Sequence, residues 1–253
     1  MTGTAPTVPP LPVRRLLLWR HGRTEWNATG RFQGQLDPPL DDRGRAQAHR
    51  AAPHLVAAGL TAENTVVVSS DLSRTAETAE VLTGLLGVPL RQDPRLREHG
   101  MGCWEGLTRA EVADRFPDQY ADWMAGRPVR GRGGEDPADV GERALAALLD
   151  LPAAEVAVVV THGGTAGRLI ERLLGMAPEQ RRVFGPLTNC AWSDLAVQGT
   201  RWRLMRHNNS VLDGADRTAA GPVTGPRGLA APDAGAGPEE GGPGQVGDAD
   251  AVL

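Results

Sequence analysis

The chain has 253 residues, of which 40% are hydrophobic and 23% charged, and its formal net charge at pH 7 is −4. All 27 basic residues are arginine, which excludes a Walker-type phosphate loop and a Schiff-base mechanism, because both need a lysine. The two cysteines are too few for a disulfide framework and form no Cys-x-x-Cys pair, so a cysteine zinc site is not expected.

Composition divides the chain into three predicted parts. Residues 1–13 form a flexible, Thr/Pro-rich N-terminal arm, residues 14–212 a folded domain, and residues 213–253 a disordered acidic tail with ten Gly and five Pro. The tail carries a charge of −5, which leaves +1 for the rest, and a near-neutral domain is not typical of a nucleic-acid binder. The arm lacks a signal-peptide pattern and no apolar run could span a bilayer, so we expect a cytoplasmic protein with no membrane partner.

Strands alternate with helices along the folded domain. Short continuous apolar runs predict strands that are buried on both faces, and apolar residues at helical spacing predict the helices. In chain order we expect a strand at Leu16–Trp19, a helix capped by Asp41, a strand at Val66–Val68, a helix at Leu72–Leu86, a short strand at Val88–Leu90, irregular chain with short helices over Asp93–Arg132, a helix at Pro137–Leu149, a strand at Val156–Val160, a helix at Thr165–Leu174, and two strands at Cys190–Val197 and Arg201–His207. This order predicts an α/β fold, a three-layer αβα sandwich with a mainly parallel central sheet.

Two His and two Arg lie at the carboxyl ends of predicted strands. Arg20 and His21 follow the first strand, Arg74 begins the helix after the second, and His162 follows the strand at Val156–Val160. Ligands of an open α/β sheet bind beyond these ends, where guanidinium groups and helix N-termini favour anions. A lone His is more often structural and a lone Arg is usually a solvated surface charge. Their recurrence at matching strand ends favours a phosphate site instead.

Five ordered sequence blocks surround these residues. They are Arg20-His21-Gly22 with Thr24, Trp26 and Asn27; Leu40-Asp41-x-x-Gly44-x-x-Gln47-Ala48; Ser70-Asp71-Leu72-x-Arg74-Thr75-x-x-Thr78-Ala79; Leu96-x-Glu98-x-x-x-Gly102-x-Trp104-Glu105-Gly106; and Val160-Thr161-His162-Gly163-Gly164. In content and order they resemble the blocks of the histidine phosphatase superfamily, also called phosphoglycerate-mutase-like. A single Arg-His-Gly is a weak signal, but five blocks in order are highly specific.

The resemblance implies chemistry through a phosphohistidine. His21 would be the nucleophile, and Glu98 would protonate the leaving oxygen and later act as base for the attacking water. The catalytic set is completed by Arg20, Arg74 and His162, which would surround the phosphoryl group. The implied substrate-binding residues are Arg20, Asn27, Gln33, Gly34, Arg74, His162 and Gly163. The ligand would be a small-molecule phosphoester; no metal or other cofactor is implied, and a homodimer is left open.

The resemblance is compatible with three functions: a phosphatase, a mutase and a non-catalytic binding module. The segments Gly34–Asp37, Trp104–Thr108 and Arg201–Leu204 are most similar to glucosyl-3-phosphoglycerate phosphatases, and the lysine-free stretch between Glu98 and His162 favours hydrolysis. A cofactor-dependent phosphoglycerate mutase would carry an insertion with lysine there. A non-catalytic phospho-ligand-binding module would usually lose the nucleophile or the acid. We therefore predict a phosphatase, with the other two as alternatives.

The remaining histidines and the aromatic residues receive structural predictions. We expect His49 and His54 to face solvent on a helix, and we assign no role to His207. His99 either shuttles protons beside Glu98 or is an exposed bystander, and the second is favoured. Arg23 either adds positive charge at the pocket mouth or points outward, and the sequence leaves both open. Core packing is favoured over pocket lining for the aromatic residues Trp26, Phe32, Trp104 and Trp123.

Overall fold

The computed structural model describes residues 8–177, 180 and 183–211, and the predicted tail and residues 1–7 lie outside this part of the chain. The described elements, in chain order, are β1 (Arg15–Arg20), α1 (Glu25–Ala28), α2 (Asp42–Ala57), β2 (Thr65–Ser69), α3 (Ser73–Leu86), β3 (Leu90–Gln92), two 3₁₀ turns (Pro94–Leu96 and Gly102–Trp104), α4 (Arg109–Arg115), α5 (Pro117–Met124), α6 (Pro137–Leu149), β4 (Val156–Thr161), α7 (Gly163–Leu174), β5 (Trp192–Gln198) and β6 (Arg201–Asn209). None of the helices in these ranges is long and apolar enough to cross a membrane.

The six strands form one sheet in the order β3-β2-β4-β1-β5-β6. The pairs β2–β3, β2–β4 and β1–β4 are parallel, whereas β1–β5 and β5–β6 are antiparallel. The prediction of a mainly parallel sheet is therefore confirmed. Because β2, β4 and β1 are neighbours and run in the same direction, the segments that follow them emerge side by side at one edge of the sheet.

The central strands are buried on both faces, as their continuous apolar sequences predict. Leu16 and Leu18 pack into a cluster with residues of α6 and α7, whereas Leu17 and Trp19 pack into a second cluster with residues of α2 and α3. Successive side chains of a strand point to opposite faces, so β1 supplies the core on both sides. The three-layer αβα sandwich is confirmed.

Two element boundaries differ from the predictions for identifiable reasons. Strand β3 begins at Leu90 instead of Val88, because Gly87 takes a left-handed conformation and the Val88 N–H donates back to the end of α3 at Thr83 O. Helix α7 begins at Gly163 instead of Thr165. A carboxylate from elsewhere in the chain accepts hydrogen bonds from its first turn, as described below, and this contact is not visible in the local sequence.

Residues 8–13 of the predicted flexible arm lie against the folded domain. Val13 is buried, and Val8 and Leu11 pack against the cluster on the α6–α7 face. The Ala154 N–H also donates to Pro12 O at 3.2 Å. These six residues therefore contact the folded domain through apolar side chains, and the flexibility expected of the arm stays a prediction. The domain limits themselves stay a prediction.

Two glycines let the first turn of α2 pack directly on the turn that follows β1. Asp41 caps α2 by accepting a hydrogen bond from the Gly44 N–H at 2.7 Å, as predicted. A Cβ atom on Gly44 would collide with the backbone oxygen of Arg23, and one on Gly22 would collide with the backbone oxygen of Gly44. Both positions therefore need glycine for backbone contact.

We predict that Gly44→Ala lowers the free energy of unfolding by about 1–3 kcal/mol, the usual cost of overpacking, because backbone atoms must move apart. Gly84→Ala is the matched control, since Gly84 lies in α3 and its Cβ would meet open space. This control should raise the free energy of unfolding by roughly 0.5–1 kcal/mol, as expected for Gly to Ala in a helix. Urea unfolding curves measure both values, and equal stability of the two variants would contradict the close contact.

Candidate active site

The predicted catalytic side chains meet where β1, β2 and β4 end. Arg20 is the last residue of β1 and His21 follows it, His162 follows β4, and Arg74 lies in the first turn of α3 after β2. The rings of His21 and His162 stand edge to face with their centroids 5.2 Å apart. All four side chains are buried, so the sheet places two imidazoles and two guanidinium groups in one shielded place.

The hydrogen bonds of His21 determine which ring nitrogen can act as a nucleophile. Its Nδ1 atom lies 2.7 Å from Gly22 O. A carbonyl oxygen only accepts, so Nδ1 carries the proton and donates, and the lone pair of the neutral ring resides on Nε2. The His21 N–H donates to Thr161 O of β4 at 3.1 Å, which fixes the backbone of the residue as well.

Burial and neighbouring charge keep both imidazoles neutral. Burial lowers the pKa of His21 well below its usual 6.5, and the positive charges of Arg74 and Arg20 lower it further. The pKa of His162 is also well below 6.5 because of burial, followed by Arg74, His21 and Arg20. At neutral pH the two rings therefore carry no charge, which a nucleophilic imidazole requires.

Main-chain carbonyls hold the two guanidinium groups in position. Arg74 donates from Nη1 to Leu36 O at 2.7 Å and from Nη2 to Gly34 O at 2.9 Å. Arg20 donates from Nη1 to Leu187 O at 2.8 Å. Gly34 has φ +51°, and a Cβ atom there would collide with Glu105, so the loop that holds Arg74 needs a glycine at this point.

The Glu98 carboxylate binds the N-terminus of α7. Its Oε2 accepts from the Gly164 N–H at 3.0 Å, and its Oε1 accepts from the Thr165 and His99 N–H groups at 2.9 and 2.7 Å. The positive end of the helix dipole and these donors together fix a buried carboxylate. Since His162 immediately precedes α7, Glu98 lies beside the segment that carries this imidazole.

Comparison with known proteins agrees with this geometry. Residues 16–210 match the family model described as "Histidine phosphatase superfamily (branch 1)". The chain belongs to this superfamily. Apart from Arg15, the first residue of β1, the matched range contains every strand and helix that the structure describes. It includes the five predicted catalytic residues: Arg20, His21, Arg74, Glu98 and His162.

Named relatives within the histidine phosphatase superfamily include both phosphatases and mutases. "Glucosyl-3-phosphoglycerate phosphatase" of Mycolicibacterium vanbaalenii is 38% identical over 79% of this chain and 96% of its own. A solved structure of a mycobacterial glucosyl-3-phosphoglycerate phosphatase in complex with VO3 is 36% identical, with a TM-score of 0.71 over 78% of this chain and 100% of its own. "Probable phosphoglycerate mutase GpmB" of Yersinia enterocolitica is 38% identical over 74% of this chain and 87% of its own.

The remaining predicted substrate-binding residues lie around this histidine phosphatase centre in different ways. Asn27 Oδ1 accepts from the Thr24 N–H at 3.0 Å and so caps α1. Gln33 is buried, and its Oε1 accepts from Thr24 Oγ1 at 3.0 Å. Gly163 opens α7. Gly34 contributes the carbonyl oxygen that positions Arg74. Direct contact of these residues with a substrate stays a prediction.

Sequence reasoning missed two side chains that hold His21 and the residue after it in place. Asn189 donates from Nδ2 to His21 O and to Asn27 Oδ1, both at 3.2 Å. Thr78 accepts from the Gly22 N–H at 3.1 Å through its hydroxyl oxygen. Thr78 stands in one of the five blocks, which was a usable signal. Asn189 had none, because only the antiparallel return of the chain into β5 brings it to His21.

The structure also places the other histidines, Arg23 and the aromatic residues for which the sequence made predictions. The expectation that His99 is exposed is wrong: the side chain is buried, and its Nε2 lies 2.8 Å from Glu135 O. Arg23 donates from Nε to Asp41 at 2.8 Å, which ties it to the start of α2. His49 and His54 are exposed on α2, as predicted. Core packing is also confirmed for three aromatic residues, which form one buried cluster: Phe32, Trp104 and Trp123.

Burial of His162 as a neutral ring makes stability depend on pH. Its pKa is lowered in the folded protein, so below about 6.5 the unfolded chain binds a proton that the folded chain does not, and stability falls as pH falls. We predict that, between pH 7.5 and 5.5, the wild type loses more unfolding free energy than His162→Gln, by up to about 1.4 kcal/mol.

Urea unfolding in phosphate-free buffer measures this difference, because bound phosphate would stabilise the folded state. His49→Gln is the matched control: this exposed residue should leave the pH dependence as it is in the wild type. If His162→Gln retained the full wild-type loss, His162 would not be a buried neutral imidazole.

Proposed function

We propose that this protein hydrolyses a phosphomonoester through a phosphohistidine on His21 and that its substrate is glucosyl-3-phosphoglycerate or a closely related sugar or glycerate phosphate. The observation that carries the proposal is the neutral His21 ring, whose Nε2 lone pair is fixed by the bond from Nδ1 to Gly22 O inside a pocket with two arginines. Membership of the histidine phosphatase superfamily supports it.

In the first step the phosphoryl group enters between Arg20, Arg74 and His162. Two guanidinium groups stabilise the negative charge on its oxygens, and their carbonyl partners fix them before the substrate arrives. Neither ring nitrogen of His162 has a hydrogen-bond partner among the described residues, so this ring is suited to contact a phosphoryl oxygen. His21 Nε2 then forms a bond to phosphorus as the bond to the leaving oxygen breaks.

Glu98 supplies and removes the proton in this scheme. In its acid form it passes a proton to the leaving oxygen, so the product departs as an alcohol. In the second step the resulting carboxylate takes a proton from water as the water oxygen bonds to phosphorus. The bond between phosphorus and Nε2 breaks, inorganic phosphate leaves, and the electron pair returns to His21. The hydrogen bonds to the start of α7 keep the carboxyl group in one place for both transfers.

Similar proteins support the proposed substrate class. Relatives named glucosyl-3-phosphoglycerate phosphatase are 33–38% identical to this chain, over 96–98% of their own length. The segment between Glu98 and β4 supports hydrolysis, since it contains no lysine and only the short helices α4 and α5 before α6. Among the described residues, His, Cys, Asp and Glu form no group that could hold a metal ion, and metal independence stays a prediction.

We predict that His21→Ala abolishes turnover because it removes the atom that accepts the phosphoryl group. Wild-type protein quenched during turnover should carry an acid-labile, alkali-stable phosphate on His21, which peptide mass spectrometry locates. His54→Ala is the matched control, since this exposed histidine should leave both turnover and labelling unchanged. An active His21→Ala variant together with an unlabelled wild type would contradict the mechanism.

We further predict that glucosyl-3-phosphoglycerate gives inorganic phosphate, that EDTA leaves the rate unchanged and that vanadate inhibits, because vanadate adopts the five-coordinate geometry of an in-line transfer. A parallel assay supplies 3-phosphoglycerate with catalytic 2,3-bisphosphoglycerate and follows 2-phosphoglycerate and free phosphate. Phosphate release should dominate. Faster mutase turnover would overturn hydrolysis, and complete inactivation by EDTA would overturn a metal-free reaction.

A further inference from the structure

A partly buried ion pair, Arg143 with Glu135, lies behind the segment that carries Glu98. Arg143 projects from α6 and donates from Nε to Glu135 Oε1 at 2.7 Å and from Nη2 to Glu135 Oε2 at 2.8 Å. Both side chains are largely shielded, with 19% and 28% of their surface exposed. A two-point contact of this kind holds a carboxylate in one orientation as well as at one distance.

The other donors of Arg143 bind main-chain carbonyls of the acid-bearing segment. Nη1 donates to Arg95 O at 2.6 Å and to Arg97 O at 2.8 Å, and Nη2 donates to Glu98 O at 3.0 Å. With the two bonds to Glu135, these contacts use all five N–H groups of a guanidinium. A lysine has three donors and no planar fork, so it could not reproduce the arrangement.

Glu135 extends the contact to both sides of Glu98. Its Oε2 accepts from the Gly100 N–H at 2.8 Å and from Gln35 Nε2 at 3.1 Å, and the same Gln35 nitrogen donates to Glu98 O at 3.3 Å. Gln35 follows Gly34, whose carbonyl oxygen holds Arg74. One carboxylate thus connects the segment that bears the acid to the loop that positions a phosphate-binding arginine.

The charge state of Glu135 suits this role. Burial opposes ionisation of its carboxyl group, but the hydrogen bonds from Arg143 and the Gly100 N–H and the charge of Arg143 outweigh it and lower the pKa. The group is therefore an anion at neutral pH and accepts all of its bonds at once.

We propose that Glu135 and Arg143 are positioning residues for the catalytic acid: together they hold Glu98 against the start of α7, where it can reach the leaving oxygen. The proposal rests on the proposed function, because it assumes that Glu98 protonates that oxygen. Neither residue touches the reacting atoms. Their effect is transmitted through the carbonyl groups of Arg95, Arg97 and Glu98 and through the Gly100 N–H.

Leaving-group dependence separates this role from a general structural one. An alkyl phosphate needs a proton on its leaving oxygen, whereas p-nitrophenolate leaves as a stable anion. Since kcat/KM reports steps up to departure of the leaving group, displacement of Glu98 should lower kcat/KM for glycerol 3-phosphate and spare p-nitrophenyl phosphate. The variants are Glu135→Gln and Arg143→Lys, with Glu98→Gln as the reference for loss of the acid itself.

We expect Glu135→Gln and Arg143→Lys each to lower kcat/KM for the alkyl phosphate by about 10- to 100-fold, part of the 10²–10⁴-fold that a general acid contributes. Their kcat/KM for p-nitrophenyl phosphate should stay within about 3-fold of the wild type. The matched control is Glu142→Gln, because Glu142 is the residue of α6 that precedes Arg143 and it also pairs with an arginine, Arg172 of α7. It should behave as the wild type on both substrates.

Each outcome of these kinetic assays supports or overturns a specific part of the proposal. If Glu98→Gln shows no selective loss on the alkyl phosphate, the acid role in the proposed function fails. If Glu98→Gln shows that loss but Glu135→Gln and Arg143→Lys do not, the positioning role is overturned. Equal losses on both substrates in these two variants, which poor folding would also produce, overturn it as well. Selective loss in both variants supports it.

Discussion

Burial of positive charge beside two neutral imidazoles is the constraint on which the rest of this structure depends. Arg20 and Arg74 are withdrawn from water at the ends of β1 and β2, which carries a large desolvation cost unless their donors are satisfied. Carbonyl oxygens of Gly34, Leu36 and Leu187 satisfy several of them, and the histidines avoid adding charge by remaining unprotonated. The result is a pair of fixed positive charges beside two neutral rings, an arrangement suited to an anion.

The carboxylate of the site, Glu98, is also held by main-chain hydrogen bonds. The N–H groups of Gly164 and Thr165, at the start of the helix that follows His162, hold the Glu98 carboxylate. The carboxylate therefore serves as the cap that α7 lacks in its own sequence, since His162 makes no side-chain cap bond. The position of Glu98 and the capping of α7 therefore depend on the same hydrogen bonds.

Much of this was predictable from the sequence. Apolar runs identified β1, β2 and β4, and the position of Arg20, His21, Arg74 and His162 after them indicated a common edge because parallel strands end together. The five ordered blocks indicated the family. These signals are local or depend only on strand order, which explains why they were sufficient for the fold and for the principal side chains.

The rest depends on contacts between distant segments. His99 was expected at the surface because nothing in its neighbours shows that Glu135 lies over it. Asn189 reaches His21 only through the antiparallel return of β5, and Val88 is excluded from β3 by a hydrogen bond to the end of α3. In each case the deciding partner lies outside the pattern that the prediction used, and no periodicity or propensity encodes it.

The backbone of His21 also has a consequence for motion. Its N–H bonds to Thr161 O, and its carbonyl oxygen accepts from the Cys190 N–H and from Asn189, so neighbouring segments hold the same peptide on both sides. Exchange of this amide hydrogen with solvent requires β1 to separate from β4, an opening close to global unfolding. His21, the proposed nucleophile, is thus held at one of the least mobile points of the described chain.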